Sequence, residues 1–148
     1  LIMQDKLNEM LDSILSLMLL DGSYEISEDE NGFFVGIDTA DAGKLIGYNG
    51  ETLSALQLLI NQMLTKDSDQ FRRVILDVAG WRQGKEEELK QKALSWANQV
   101  KEQGRQIELE PMPSWQRRVI HMVVGDVDGV ESESVGEGRD RHLVIKPT

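Results

Sequence analysis

The feature that most constrains this chain is Gly47-Tyr48-Asn49-Gly50, four residues set between two stretches with helical apolar spacing. A helix over residues 40 to 46, capped by Thr39, has to stop there. A longer one over about 51 to 64 has to restart, with Leu53, Leu56, Ile60, Met63 and Leu64 on its inner side. Glycine has no Cβ, so the turn can be tight and a ligand's backbone can come close to the main chain. The first turn of the second helix then offers free N–H groups and the positive end of a dipole to a phosphate. The alternative is an ordinary helix-helix turn. Tyr48 and Asn49 bring no charge to the joint, and Tyr48 is of a type that stacks on bases or simply sits at the surface.

The flanking patterns decide what this joint belongs to. Residues 4 to 20 read as an amphipathic helix, with Leu7, Leu11, Ile14, Leu15 and Met18 on one face, ended by Asp21-Gly22. Two strands follow at about 23 to 28 and 33 to 38, joined through Glu30-Asn31-Gly32. A third strand is read at 71 to 78, FRRVILDV. The order αββααβ makes a small α+β layer, three helices on a three-stranded sheet. Ala79-Gly80 is the expected boundary, giving domains 1–80 and 81–148.

The second domain opens with a long helix at about 82 to 103, whose apolar stripe is Leu89, Ala93, Trp96, Ala97 and Val100, ended by Gly104. A short strand is expected at 106 to 110. Pro111 and Pro113 then precede a helix over 114 to 124, and strands at 130 to 135 and 141 to 146 close the chain around Gly136-Glu137-Gly138. This too is α+β, helices on a three-stranded sheet.

Charge separates the halves. The 148 residues carry a net charge of −10, which is unusual for a nucleic-acid binder. Residues 1 to 80 hold 5 Lys+Arg against 14 Asp+Glu, a balance of −9, whereas residues 81 to 148 hold 11 against 12. The first half repels a phosphate chain at long range; the second can carry a local basic patch. There is no cysteine, which removes disulfides and thiol chemistry and fits a cytoplasmic location. No apolar run reaches the ~20 residues of a membrane helix. Residues 10 to 20, the nearest, are interrupted by Asp12, Ser13 and Ser16, so no membrane insertion is expected.

The basic patch is expected on the helix over 114 to 124. On a helical wheel Trp115, Val119, Met122 and Val123 share an arc that should face the core, while Arg117, Arg118 and His121 form a polar arc beside it. Arg117 and His121 are one turn apart and therefore neighbours. Arginine grips phosphate bidentately, and histidine donates hydrogen bonds or stacks on bases. The plainer reading is a solvated helix face. Arg139, Arg141 and His142 extend the patch, or else blunt a solvated edge strand. Arg82, Lys85, Lys90 and Lys92 alternate with Glu86, Glu87 and Glu88, which reads as a salt-bridged solvated face. Asp126, Asp128, Glu131 and Glu133 lack calcium-loop spacing, and no metal or cofactor is expected. An enzyme does not assemble: there are two histidines, no Gly-x-Ser-x-Gly elbow and no Walker-type loop.

Four segments in order, LIGYNGETLSALQLLIN, DVAGWRQGKEEEL, LEPMPSWQRRVIH and SVGEGRDRHLVIKP, resemble the Jag family. These are the SpoIIIJ-associated proteins, also called KhpB or EloR, which join a KH domain to an R-3-H domain named for its Arg-x-x-x-His motif. The resemblance implies a type II-like KH domain with Gly47 and Gly50 as clamp glycines and Tyr48 and Asn49 between them. It makes Arg117 and His121 the motif pair of the R-3-H domain. It implies binding of single-stranded RNA (or single-stranded DNA), a role in regulating cell elongation and division, and a partner KH protein or self-association through the KH domain. The family's N-terminal Jag domain does not occur in this sequence, which starts at Leu1; either it was cut away or this member lacks it. Two positions depart from the family pattern: the loop has Tyr48-Asn49 where basic residues are usual, and Gln116 stands where a glutamate is usual. With the charge split, the first departure makes the R-3-H half the expected main nucleic-acid contact, Arg117 and His121 leading and Arg118 and Arg141 assisting. The competing expectation is a protein-interaction module in which the acidic KH half docks a protein.

Overall fold

A computed structural model of the chain describes residues 3–66 and 72–148. The fold is mixed α+β with two three-stranded sheets. The chain divides into two compact units, Leu1–Arg82 and Gln83–Thr148, each with its own apolar core.

The first unit is α1 (Met3–Leu17), β1 (Gly22–Asp29), β2 (Gly32–Thr39), α2 (Ala42–Ile46), a 3-10 turn (Tyr48–Gly50), α3 (Glu51–Lys66) and β3 (Arg73–Val78). The sheet order is β1-β2-β3; β1 and β2 run antiparallel, with Val35 opposite Ile26, and β3 lies parallel to β2. Leu7, Leu11 and Leu15 of α1 are buried as their spacing predicts, against Leu53, Ile60 and Leu64 of α3 and Val35, Val74 and Leu76 of the sheet. α1 ends three residues before the expected stop, because Leu19 turns left-handed and Leu20 folds back into the core, its N–H bonding the Leu15 carbonyl at 2.9 Å. The hairpin closes on Asp29, whose Oδ1 accepts from Asn31 N–H at 2.8 Å and Gly32 N–H at 3.2 Å.

α2 begins at Ala42 rather than 40, after Asp41, and Thr39 Oγ1 accepts the Asp41 N–H at 3.3 Å while donating to the Asp21 carbonyl at 2.8 Å. Thr39 therefore ties β1 to the approach of the helix instead of capping it. β3 is an edge strand, and α3 serves its open side. Asn61 accepts the Val74 N–H at 2.8 Å and donates to the Val74 carbonyl at 2.9 Å, and Gln57 Oε1 accepts the Leu76 N–H at 3.0 Å. These bonds replace a missing strand partner. The start of the expected strand, Phe71, lies outside the described residues.

Asp77 stands near the end of the unit. It is 2 % exposed, and its Oδ1 accepts the N–H groups of Val78 at 2.8 Å and Arg82 at 2.7 Å, the latter in the first turn of α4 (Trp81–Gln103). Ala79 and Gly80 turn left-handed between them. In the second unit α4 buries Leu89, Ala93, Ala97 and Val100. Its outer side carries the ion pairs Lys85–Glu88, Lys90–Glu86 and Lys92–Glu88, the solvated face the alternating charges imply. β4 (Ile107–Glu108), α5 (Ser114–Gly125), β5 (Val130–Val135) and β6 (His142–Pro147) complete it. β4 is shorter than expected, and the sheet order is β4-β6-β5, so β6 is central.

Candidate nucleic-acid interface

α5 sits differently from its predicted orientation. Its core residues are Gln116, Ile120 and Val124; Trp115, Val119 and Val123 are half-buried, and Met122 is 65 % exposed. The inward stripe thus runs one residue later than the apolar letters imply. The reason is Gln116, only 1 % exposed, an amide at a position that apolar counting assigns to the surface. The glutamate-to-glutamine departure therefore concerns the core and not a ligand.

This orientation brings Arg117 and His121 onto the flank of α5 that meets β5. Arg117 Nε donates to the Met112 carbonyl at 3.1 Å and Nη1 to Ser134 Oγ at 3.3 Å. His121 Nδ1 lies 2.6 Å from Ser132 Oγ. Arg141 stands in the segment before β6, Nη1 donating to the Gly136 carbonyl at 2.7 Å, while its own carbonyl accepts the Met112 N–H. The Arg117 guanidinium is held below its ordinary pKa range, first by burial and then by the positive charge of Arg141. Arg118 is exposed and joins none of these contacts. Among the described residues, no carboxylate pairs with Arg117, Arg118 or Arg141.

The acids nearby are kept on the other face. Along β5, Glu131 and Glu133 alternate with Ser132 and Ser134. Lys146 of β6 bridges the two glutamates at 3.8 and 2.9 Å. His142 is not on an edge strand, because β4 and β5 flank β6. Its Nδ1 lies 2.7 Å from the Asp140 carbonyl and its Nε2 2.6 Å from Glu108 Oε1. Both contacts raise its pKa, the backbone bond first and the Glu108 side-chain bond next. His142 therefore serves the sheet rather than the basic patch. Ser132 and Ser134 escaped notice in the sequence; the signal is the two-residue alternation in VESESV, which puts both hydroxyls on one face.

The Gly-x-x-Gly joint lies in the first unit. Gly47 and Gly50 take φ of 70° and 79°, and Asn49, between them, is left-handed at 52°. Tyr48 is 83 % exposed. The space a Cβ would occupy is filled from within: at Gly47 it would meet Thr52 Oγ1 at 2.1 Å, and at Gly50 the Trp81 ring at 2.5 Å. Internal packing and left-handed backbone demand both glycines, whether or not a ligand approaches.

Among the described residues, no group of three or more His, Asp or Glu side chains is placed to hold a metal ion, and no helix is long and apolar enough to cross a membrane. Residues 4–76 match the KhpA/KhpB KH domain family and residues 87–147 the R-3-H domain family. The chain is 36 % identical over 145 residues to the RNA-binding protein KhpB of Clostridium symbiosum, covering 97 % of this chain and 65 % of that protein. It is 39 % identical over 106 residues to RNA-binding protein KhpB of Bacillus subtilis, covering 70 % and 51 %, and 35 % identical over 109 residues to that of Streptococcus pneumoniae serotype 2, covering 74 % and 33 %. The chain thus spans between a third and two thirds of the length of these relatives. With the two domain matches in this order along one chain, the protein belongs to the Jag (KhpB) family.

Proposed function

We propose that this chain binds single-stranded RNA, with the R-3-H unit as its main contact. The observation that carries this reading is that Arg117 and Arg141 both bond the main chain of Met112, Arg117 through its guanidinium and Arg141 through its carbonyl, so that two like charges stand close, with no carboxylate paired to either among the described residues. A phosphate would relieve that repulsion and accept several charge-assisted hydrogen bonds. His121 adds a donor on the same flank, and Arg118 adds charge one residue away. The names of the relatives favour RNA over single-stranded DNA. In the KH unit, exposed Tyr48 offers a stacking face, but the −9 balance of residues 1 to 80 weakens its grip on phosphate. The function is binding without catalysis, carried out in the cytoplasm, and in the cell it serves the regulation of elongation and division.

The test is a titration of labelled single-stranded RNA at two salt concentrations. Arg117→Ala is expected to weaken binding roughly tenfold, the range of a charge-assisted contact. It should also flatten the logarithmic salt dependence by about 0.7, one phosphate's worth for a single strand. Parent-like binding by this variant overturns the proposal.

A second reading has its own observation. Between α1 and α3 lies a groove of about 530 Å³ lined by Met10, Ile14, Leu17, Leu59 and Met63 among others, with Lys6 and Glu9 at its border. Leu17 is 83 % and Leu59 51 % exposed. We infer that a second copy of the KH unit covers this face: an exposed apolar patch meets its own copy about a two-fold axis and buries the same side chains on both sides.

A further inference from the structure

We infer that Ser132 and Ser134 are positioning residues of the R-3-H phosphate site, holding His121 and Arg117 so that both present their unused N–H groups to one phosphate shared with Arg141. This inference rests on the RNA-binding reading and names residues on a second element, β5, that the Arg-x-x-x-His motif does not contain.

An arginine has five N–H groups. In Arg117, Nε is committed to the Met112 carbonyl and one Nη1 hydrogen to Ser134 Oγ. Those two bonds fix the plane of the guanidinium and leave three hydrogens. In His121, Ser132 takes Nδ1 at 2.6 Å. When the hydroxyl donates to Nδ1, the ring hydrogen sits on Nε2. When the ring is protonated, Nδ1–H donates to Ser132 and Nε2 still carries hydrogen. Only a neutral ring protonated at Nδ1 would turn a lone pair toward the ligand, and a phosphate selects against that form. Ser132 and Ser134 share one face of β5, two residues apart, as Arg117 and His121 share one flank of α5, four residues apart. The two spacings match a strand lying along a helix. Glu131 and Glu133 face the other way and are held by Lys146, and the sheet neighbours of Ser132 and Ser134 are Ile145 and Leu143, so among the described residues of this sheet no acid shares the hydroxyl face.

A hydroxyl is suited to this work because it adds no charge. A carboxylate at either position would orient the cations equally well and cancel the field that attracts the phosphate.

The experiment compares the parent, the Ser132→Ala/Ser134→Ala double variant, the Ser132→Thr/Ser134→Thr double variant and Arg117→Ala in the labelled single-stranded RNA titration at two salt concentrations. Nitrogen-15 spectra of the His121 ring are recorded without RNA. The alanine pair is expected to lose affinity roughly three- to tenfold, the effect of one or two neutral hydrogen bonds. Its salt slope should stay at the parent value because every cation remains. The threonine pair keeps both hydroxyls in a strand that favours threonine and should regain most of the affinity. The His121 Nδ1 signal should move in the alanine pair and return in the threonine pair. If the alanine pair binds like the parent while Arg117→Ala is weak, the positioning role is wrong and RNA binding stands. If Arg117→Ala also binds like the parent, the RNA reading itself falls and takes this inference with it. A His121 ring signal unmoved by loss of the Ser132 hydroxyl overturns the inference with no reference to RNA.

Discussion

His142 shows what one residue can do to the pH dependence of a small sheet. Both of its ring nitrogens face acceptors, the Asp140 carbonyl and Glu108, an arrangement only a doubly protonated imidazolium satisfies. Its pKa is accordingly raised above the usual 6.5. A folded-state pKa above the unfolded value means the folded protein holds the proton more tightly. The stabilisation is therefore full below pH 6.5 and disappears as pH rises through the raised value. Urea unfolding of the second unit should show its midpoint falling across that window, and His142→Gln should flatten the fall. A pH-independent midpoint in the parent would sink this account. None of it was legible in the sequence, where His142 read as part of a basic patch or of an edge strand, because the partner Glu108 comes from a strand 34 residues away. Arg117 and His121, four apart on one helix, were legible as a pair for the opposite reason: a local period fixes their adjacency.

At the scale of elements, local pattern gave nearly all of the order and some of the orientation. The stripe Leu89, Ala93, Ala97, Val100 set α4 correctly. α5 came out rotated, because buried Gln116 breaks the rule that polar letters face water. Met63 reads as inward by spacing yet is 46 % exposed, since it lies on the groove side of α3. The Asn61 and Gln57 bonds to β3 were invisible for a third reason: they are tertiary contacts of polar side chains, which no periodicity encodes. The joint at 47 to 50 belongs to this scale as well. Trp81, the first residue of α4, packs under Gly50, so the turn between α2 and α3 is supported by an element that follows β3. Gly50→Ala would force a left-handed alanine against the ring, at a cost of about 2–4 kcal/mol from backbone strain and overpacking together. Denaturant unfolding of the first unit measures it. Substituting Trp81 by Leu in the same chain should recover part of the loss by opening space. If Gly50→Ala proves neutral, the glycine is not there for packing, and its place in the loop has to be explained by a ligand instead.

For the whole molecule, the division of charge gives the two proposed partners, RNA on one unit and a second copy on the other, opposite responses to salt. RNA on the R-3-H unit releases counterions, so its affinity falls as salt rises. Two KH units meeting through α1 and α3 bring together two surfaces from halves that each carry −9 over residues 1 to 80. Salt screens that repulsion, with a Debye length near 8 Å at about 0.15 M and near 3 Å at 1 M. The apolar contact through Leu17, Leu59 and Met63 is not weakened by it. Self-association is therefore expected to tighten from low to moderate salt over the range in which RNA binding loosens. Light scattering after size exclusion, run without nucleic acid at several salt concentrations, reads the first trend, and the RNA titration reads the second. Leu59→Glu puts a charge in the middle of the groove at a half-exposed position, where the fold tolerates it. It should leave the unfolding free energy within about 0.5 kcal/mol of the parent's at concentrations where the parent is monomeric, while shifting the chain to monomer at every salt concentration. RNA affinity measured at concentrations where the parent is monomeric should not change. A parent chain that stays monomeric throughout, or a Leu59→Glu chain that associates as the parent does, removes the KH–KH reading and leaves the R-3-H site untouched, because the two rest on different residues in different units.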